Sequence, residues 1–252
     1  MSFTVAATAY DRFMGRYSVP LSSKFADVAE VSGGQRVLDV GCGPGALTAE
    51  LVARAGPAVV SAVDPSEPFV AAARARNPGA DVQQASAEHL PFPSGVFDAT
   101  LAQLVVHFMS DPVTGVTEMR RVTRQDGIVA ACVWDHGGGQ GPLSPLWEAA
   151  HALDPEVEGE SRLMGSHEGD LARLFESAGL SAVEETALSV SVEHPSFDEW
   201  WEPFTLGVGP AGSYVAGLDG DRRARLRDHC RALLPDPPFV LVARAWTARG
   251  LA

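Results

Sequence analysis

The stretch Val37-Leu-Asp-Val-Gly-Cys-Gly-Pro-Gly45 decides the fold class of this chain, because a short apolar run passes directly into three closely spaced glycines. The next residues, Ala46–Ala55, place leucine and valine side chains at helical spacing. A strand that turns sharply into a helix favours glycine at the turn, since the backbone angles there resist a side chain. Amide groups at the start of such a helix can receive a ligand. The stretch therefore predicts a strand, a ligand-binding loop and a helix.

The spacing of the glycines narrows the kind of ligand. The order is Gly41-x-Gly43-x-Gly45, whereas dinucleotide-binding loops follow G-x-G-x-x-G. Asp39 stands two residues before the first glycine. A carboxylate at this position repels a pyrophosphate and suits a ligand that carries positive charge. The loop therefore favours a cationic ligand over a dinucleotide.

Strand and helix patterns alternate on both sides of this loop through residues 35–135. Near-continuous apolar strands separated by amphipathic helices are typical of a parallel sheet covered on both faces. The predicted strands are Arg36–Val40, Val59–Val63, Asp81–Ala85, Phe97–Val105 and Gly127–Trp134, and the later helices begin at Ser66 and Pro112.

The pattern changes after the Gly-rich loop that begins at His136. Helical segments are predicted at Leu143–Leu153, Glu168–Ala178 and Asp219–Leu234, and strands at Glu184–Glu193 and Pro238–Thr247. The predicted fold is an α/β, doubly wound (Rossmann-like), seven-stranded and mostly parallel sheet with an antiparallel C-terminal edge strand and a helical cap. We divide the chain into an N-terminal helical lid (1–34), a core (35–135) and a C-terminal part (136–252) with cap insertions at 136–170 and 195–236.

The composition describes an ordinary globular protein. The chain has 252 residues, of which 46% are hydrophobic and 20% charged, and a formal net charge of −13. An acidic chain repels a phosphate backbone, so nucleic acid is not expected as a partner. Three cysteines suggest no disulfide framework, and seven histidines show no metal-ligand spacing. The N-terminus shows no signal-peptide pattern and no apolar stretch is long enough to span a bilayer, so we expect a cytoplasmic protein without a membrane partner or a metal.

The glycine loop and two later motifs carry a family resemblance. Val37–Gly45 resembles the first motif of the class I S-adenosylmethionine (SAM)-dependent methyltransferases, in particular the UbiE-like, type 11 branch. Ala62-Val-Asp-Pro-Ser66 resembles the end of the family's second strand, where an acid holds both ribose hydroxyls; that acid is Asp64 here. Ala85-Ser-Ala-Glu-His-Leu-Pro-Phe92 resembles the adenine-side motif, although relatives often have aspartate where Ser86 stands.

Two more segments extend the resemblance over roughly residues 8–135. Phe97–Phe108 resembles the fourth-strand motif, whose backbone near Gln103 faces the methionine end of SAM. Tyr10–Tyr17 resembles an N-terminal helix that folds over the cofactor. The resemblance implies SAM as cofactor, S-adenosylhomocysteine as product, and cofactor contacts from Tyr10, Arg16, Asp39, Gly41, Cys42, Gly43, Gly45, Asp64, Pro65, Ser86, Ala87, Glu88 and Gln103.

Several of these residues also have a purely structural interpretation. Asp64 precedes a helix and could cap it. His107 follows the fourth predicted strand and is the candidate general base, or else a packed histidine. Aromatic residues in the lid and cap could line an apolar acceptor pocket or form core. The acceptor-pocket candidates are Phe13, Tyr17, Trp134, Trp200, Trp201 and Phe204.

The sequence thus predicts a SAM-dependent methyltransferase that acts on a small apolar or aromatic acceptor by in-line displacement, through O-, C- or N-methylation. Two alternatives stay open at this point. One is an NAD(P)-dependent oxidoreductase on a Rossmann fold, against which the glycine spacing and Asp39 argue. The other is a SAM-binding protein without transferase activity. An RNA or protein acceptor is disfavoured by the net charge of −13.

Overall fold

A seven-stranded sheet runs through the middle of the molecule in a computed structural model that describes residues 7–252. The strands lie in the order β3-β2-β1-β4-β5-β7-β6. All neighbouring pairs from β3 to β5 are parallel, and β7 is antiparallel to both β5 and β6. The strand bounds are β1 Val37–Val40, β2 Val60–Asp64, β3 Asp81–Gln84, β4 Phe97–Gln103, β5 Thr123–Trp134, β6 Ser181–His194 and β7 Phe239–Leu251.

Ten α-helices connect and cover these strands in the described part of the chain. A π-helical turn, Asp11–Gly15, joins the first two, and a 3₁₀ turn, Glu202–Leu206, follows the eighth. The helix bounds are α1 Ala7–Tyr10, α2 Arg16–Val28, α3 Ala46–Ala55, α4 Glu67–Arg76, α5 Pro112–Val122, α6 Ser144–Leu153, α7 Asp170–Ser177, α8 Phe197–Trp201, α9 Gly209–Gly217 and α10 Gly220–Leu233.

The strand order reverses between β1 and β4, which confirms the predicted doubly wound sheet. Strands β2 and β3 follow one another to one side of β1, and β4 and β5 lie on the other side. In open sheets of this kind, ligands bind beyond the carboxyl ends of the strands at the reversal point. The topology therefore directs the search for a site to the ends of β1, β2 and β4.

The C-terminal strand is antiparallel, as predicted, and lies one position inside the edge of the sheet. Strand β6 pairs with β7 from Ser181 opposite Leu251 to His194 opposite Phe239. This long ribbon makes β6 the edge strand. We expected the C-terminal strand, β7, to lie at the edge. Instead β7 pairs with β5 on one side and with β6 on the other, so β6 lies outside it.

Side chains from the two faces of the sheet enter two separate cores. Along β5, Val129, Ala131 and Val133 belong to the core under α5 and α7. Their alternates Ala130, Cys132 and Trp134 belong to the core that contains residues of the N-terminal helices. Because consecutive strand residues point to opposite faces, a strand covered on both faces is apolar throughout. Strand β1 has this pattern and is buried at all four positions.

The N-terminal helices and the late helices share one hydrophobic cluster on the same face of the sheet. Phe13 packs edge-on against Phe204 with ring centroids 5.6 Å apart, and Tyr17 packs in the same way against Trp134 at 6.3 Å. These contacts bring residues 10–17 next to the predicted cap. The division into lid, core and cap stays a prediction, and residues 1–6 of the predicted lid lie outside the described residues.

No helix within residues 7–252 combines the length and the apolar character needed to cross a bilayer.

Candidate active site

A cavity of about 350 Å³ opens beyond the ends of β1, β2 and β4, where the topology directs a ligand. Its volume falls in the range of small-molecule pockets. Nine of the predicted cofactor residues are brought together in its wall: Tyr10, Gly41, Gly43, Asp64, Pro65, Ser86, Ala87, Glu88 and Gln103. The other lining residues are Ser66, Phe69, Leu104, Val105, Phe108, Met109 and Ser110.

The glycine loop is shaped by close packing. Gly41 has a φ of +72°, and a Cβ built on it would lie 2.3 Å from Val105 Cγ2. The amides of Gly41 and Cys42 both donate to the Val63 carbonyl, at 2.8 and 2.9 Å. These two loop amides are therefore engaged within the protein, and the role of Gly41 is to let the backbone approach the pocket.

Gly45 serves the packing of two helices. It has a φ of +91°, and a Cβ there would lie 2.5 Å from Asn77 Nδ2 and 3.2 Å from Ala73. Asn77 donates to the Gly45 carbonyl at 3.4 Å. Gly45 is absent from the walls of the cavities beside β1, so the structure assigns it to the contact between α3 and α4.

Asp39 is a buried carboxylate with one unpaired oxygen. Only 1% of the residue is exposed, and its Oδ2 accepts a hydrogen bond from Thr48 Oγ1 at 2.6 Å. Its Oδ1 is buried without a hydrogen-bond partner. Burial, with a smaller contribution from the charge of Asp64, raises the pKa of Asp39 to about 7. A buried, unpaired carboxylate oxygen is costly unless a ligand donor satisfies it.

A small cavity of about 30 Å³ adjoins Asp39 and shares Tyr10, Gly41, Gly43, Gln103 and Leu104 with the large one. Cys42 also lines it, and burial raises the pKa of the Cys42 thiol well above its usual range. A thiol held in its protonated form is a poor nucleophile. The structural interpretation of Cys42 as a small tolerated residue therefore agrees with its surroundings.

Asp64 closes the other side of the loop. Its Oδ2 accepts from the Gly43 amide at 2.9 Å and its Oδ1 from the Ser66 amide at 2.8 Å. Burial raises the pKa of Asp64 above its usual value, against the lowering effect of these two amides. The carboxylate thus tethers the glycine loop to the end of β2 and lines the large cavity as well.

Gln103 connects the end of β4 to the N-terminal helix. Its Nε2 donates to the Ser18 carbonyl at 3.1 Å and to Ser22 Oγ at 3.0 Å, while its Oε1 is buried without a partner. The side chain therefore holds α2 over the cavity and leaves one acceptor unsatisfied.

Glu88 lines the cavity, so its contact with the cofactor stays a prediction, and its side chain also supports a loop. Its Oε1 accepts from the amides of Ser110 and Asp111 at 2.8 and 3.3 Å, and these bonds contribute to a lowered pKa. The carboxylate thus holds the loop after β4 as a wall of the cavity, and Ser86 and Ala87 form the wall beside it.

Five predicted site residues are placed elsewhere. Arg16 lies against His194 Nδ1 at 3.0 Å and Glu199 at 3.7 Å, and Tyr17 bonds His194 Nε2 at 2.9 Å. Trp200 and Trp201 are buried around Phe197. None of these side chains lines the cavities at the sheet edge, and neither does Phe204, so their core interpretation fits the structure.

A further small cavity, here named the chamber, holds the remaining acceptor candidates. Phe13 and Trp134 line it, and it shares Tyr10, Leu104 and Phe108 with the large cavity. The Trp134 indole donates to Met14 Sδ at 3.2 Å, which fixes the ring in the wall. The full lining is Tyr10, Phe13, Met14, Leu104, His107, Phe108, Trp134, His136, Leu143, Glu160, Val208, Gly209 and Pro210.

His107 lies in the chamber as a neutral imidazole. Its Nδ1 is buried without a hydrogen-bond partner, and its ring centroid is 6.2 Å from that of His136. Burial, and then the charge of His136, lower the pKa of His107 to about 3. The ring can accept a proton at neutral pH, but such a low pKa makes it a weak base.

Sequence reasoning missed several residues at these cavities. Leu104 borders all three with a φ of +61°, a conformation that a leucine rarely adopts and that is typical of functional sites. His136 lies two residues after the end of β5, and its place after a buried strand could have revealed it. Glu160 lies in the loop between α6 and α7, where no sequence signal predicted a contact with the ends of the strands.

Comparison with known proteins finds sequence similarity in the core of the chain. Residues 38–131 match the family model described as a methyltransferase domain. A 2-methyl-6-phytyl-1,4-hydroquinone methyltransferase of Oryza sativa is 35% identical over 114 residues, which are 44% of this chain and 30% of that protein. A malonyl-[acyl-carrier protein] O-methyltransferase of Erwinia billingiae is 34% identical over 128 residues, or 51% of this chain and 50% of that protein.

A solved structure has the same fold over nearly the whole chain. The geranyl diphosphate C-methyltransferase of Streptomyces coelicolor, solved with S-adenosylhomocysteine, matches with a TM-score of 0.56 at 14% identity, over 94% of this chain and 80% of its own. The chain spans about half or less of the length of these two curated relatives. Similarity in sequence is thus concentrated in the core, whereas similarity in fold extends through the C-terminal part.

Proposed function

We propose that this chain, whose residues 38–131 form a domain of the class I SAM-dependent methyltransferase family, transfers a methyl group from SAM to a small apolar or aromatic acceptor. The observation that carries the proposal is the pair of carboxylates beside the glycine loop. Asp39 lines the small cavity and has an unpaired buried oxygen, and Asp64 lines the large cavity next to it. Both suit one ligand that has an ammonium at one end and a ribose in its middle.

The donors and acceptors present fit SAM better than a dinucleotide. The unpaired oxygens of Asp39 and Gln103 both accept hydrogen bonds, as an ammonium group requires. The loop amides of Gly41 and Cys42 are bonded to Val63, so they do not offer a pyrophosphate the donors it needs. This set of groups disfavours the oxidoreductase alternative.

The residues of this chain position and desolvate the reactants. When bound, SAM would supply a methyl group activated by its sulfonium, and displacement by the acceptor atom would leave the electrons of the broken carbon–sulfur bond on sulfur. Asp39, Gln103 and Asp64 hold the cofactor, and Leu104 and Tyr10 stand between its pocket and the chamber. Such alignment in a site closed to water supplies most of the rate. His107 stays the candidate proton acceptor.

Lid and cap would enclose the acceptor. Phe13 lines the chamber from the N-terminal helices, Trp134 from the end of β5 and Val208 from the segment before α9. An apolar and aromatic wall favours an acceptor of the same character. The hydroquinone methyltransferase among the relatives is in accord with this acceptor class.

Calorimetric titration with SAM, S-adenosylhomocysteine and NADH tests the proposal. We expect both adenosyl ligands to bind. The Asp64→Ala substitution should lower their affinity at least about 100-fold, because charge-assisted hydrogen bonds contribute about 1.5–3 kcal/mol each. Glu67→Gln is the matched control, since this nearby carboxylate is exposed on α4. Binding of NADH, or no adenosyl binding by the wild type, would overturn the proposal.

A further inference from the structure

Three ionisable side chains enter the otherwise apolar and aromatic wall of the chamber. They are Glu160, His136 and His107. They come from three separate places in the chain: the loop after α6, the second residue after β5, and the turn after β4. Only the folded protein brings them together. Leu104 and Tyr10 border both the chamber and the large cavity, and the three side chains line the chamber.

Glu160 is buried without a compensating cation. It is 4% exposed, and its Oε2 accepts a hydrogen bond from Trp147 Nε1 at 2.8 Å. Within residues 7–252, no second donor reaches this carboxylate and no lysine or arginine pairs with it. Taking a carboxylate out of water costs several kcal/mol, which one neutral N–H does not offset. A neutral side chain would serve the Trp147 indole equally well, so the charge has no partner inside the described protein.

The two imidazoles add acceptors and no positive charge. Burial lowers the pKa of His107 to about 3 and that of His136 to about 4, so both rings are neutral at pH 7. His107 Nδ1 is buried without a partner. No lysine or arginine stands among the described residues that line the chamber. The chamber is therefore rich in hydrogen-bond acceptors and hostile to anions.

We propose that Glu160 receives an N–H or O–H group of the methyl acceptor in this chamber, so that the enzyme takes amines or hydroxyl compounds with an apolar or aromatic body and rejects carboxylates. The inference rests on the proposed function and adds the polar group by which the acceptor is recognised. The chamber has a volume of about 30 Å³, so it receives the polar group alone, and the apolar body lies against Tyr10, Leu104 and Phe108, which the chamber shares with the large cavity. Glu160 orients the acceptor by a charge-assisted hydrogen bond. A carboxylate probe in the same place would meet Glu160 with like charge.

Ligand-detected NMR titrations on the protein saturated with S-adenosylhomocysteine test this assignment. The probes are 4-methylphenol, 4-methylbenzylamine and 4-methylbenzoate, which share one aromatic body and differ in the polar group. We expect the phenol and the amine to bind and the benzoate to bind at least about tenfold more weakly, the ratio that corresponds to the smallest charge-assisted bond.

Glu160→Gln isolates the charge, because glutamine keeps an acceptor for Trp147. We expect this substitution to lower the affinity for the amine at least about tenfold and to leave the affinity for S-adenosylhomocysteine unchanged. Glu158→Gln is the matched control on the same loop, since Glu158 has 86% of its side chain exposed and pairs only with exposed Arg162 at 3.8 Å.

The pH dependence gives a second readout. Burial raises the pKa of Glu160 to about 7, so amine affinity in the wild type should rise between pH 6 and 8, and the rise should be missing in Glu160→Gln. The other ionisable groups facing this site are His107, His136 and Tyr10, which stay neutral over that range because burial lowers the pKa of both imidazoles and raises that of the phenol. His151 Nδ1 lies 2.6 Å from the Trp147 carbonyl oxygen, and the Tyr214 ring packs on Trp147 with ring centroids 5.5 Å apart.

The outcomes separate the two proposals. Equal binding of the three probes, no probe binding, or a Glu160→Gln protein that binds the amine as the wild type does would overturn the inference while adenosyl binding persists. Failure of the wild type to bind S-adenosylhomocysteine would overturn the proposed function, and the inference with it.

Discussion

At the scale of single residues, the glycine loop contains positions with different physical roles. A Cβ at Gly41 would collide with Val105, which lines the large cavity. A Cβ at Gly45 would instead collide with Asn77 and Ala73, at the end of the next helix. Both were predicted as cofactor contacts from one motif. The separation of roles follows from where each missing Cβ would point, which a sequence pattern does not contain.

Replacement of Gly41 by alanine should damage the pocket as well as the fold. The left-handed backbone costs about 1–2 kcal/mol for an L-residue, and overpacking against Val105 adds about 1–3 kcal/mol. Gly34→Ala is the matched control, because Gly34 has a φ of +82° and open space around it. Urea unfolding and SAM titration should show the larger destabilisation, and a loss of affinity, in Gly41→Ala alone. Equal effects of the two variants would refute the packing role.

Asp39→Asn should stabilise the protein and lower its affinity for the cofactor. Folding raises the pKa of Asp39 to about 7, so its favourable contribution to stability is complete below pH 4 and is lost as the pH rises toward 7. Asparagine removes that penalty and retains an acceptor for Thr48. We therefore expect the free energy of unfolding of Asp39→Asn to exceed that of the wild type by more at pH 8 than at pH 5, while SAM affinity falls. A variant that is less stable at pH 8 would contradict the unpaired state of Asp39 in the free protein.

At the scale of elements, α2 is fastened to the edge strand β6 through a buried histidine. His194 is 1% exposed, contacts Arg16 and Tyr17 of α2, and stacks on Phe239 with ring centroids 5.3 Å apart. Burial, and then the charge of Arg16, lower the pKa of His194 to about 4. Arg16, predicted to touch the cofactor, instead contributes to holding the helix that covers it.

This contact predicts an acid-sensitive attachment. The unfolded histidine takes up a proton near pH 6.5 and the folded one near pH 4, so stability is lost as the pH falls between these values, by up to about 1.4 kcal/mol per pH unit. His194→Gln should remove this contribution, and the difference in unfolding free energy between wild type and variant should shrink from pH 7 to pH 5. His229→Gln, on the exposed side of α10, should leave the pH profile unchanged. An unaltered profile in His194→Gln would show that another group carries the acid sensitivity.

At the scale of the whole molecule, the cofactor pocket joins the core sheet to the N-terminal helices. Asp39 and Asp64 come from β1 and β2, Gln103 from β4, and Tyr10 from α1. A ligand held by all of them binds the folded state alone. The reaction itself does not follow from this fold, which hosts many chemistries, and depends on the chamber.

S-adenosylhomocysteine should therefore stabilise the whole protein. At a free concentration of about 100 times its Kd, the free energy of unfolding should rise by about 2.7 kcal/mol, since the unfolded chain has no site. Thermal or urea unfolding measures the shift, with Asp64→Ala as the variant that lacks it. Stabilisation by NADH in place of the adenosyl ligand would favour the oxidoreductase alternative.

The sequence by itself determined the doubly wound, mostly parallel sheet and the place of the glycine loop. These follow from local rules, because a buried strand must be apolar and a tight turn beside a ligand favours glycine. Helix α3 occupies the predicted Ala46–Ala55, and β5 begins four residues before the prediction, at Thr123.

Only the tertiary structure decided which side chains face the cavities. It placed Leu104, His136 and Glu160 at the chamber and moved Arg16, Trp200 and Trp201 into packed contacts. It also placed β6, and not the C-terminal strand, at the edge of the sheet. These features depend on the pairing of segments far apart in the chain, and the energy of such contacts is set by geometry that no local pattern of residues specifies.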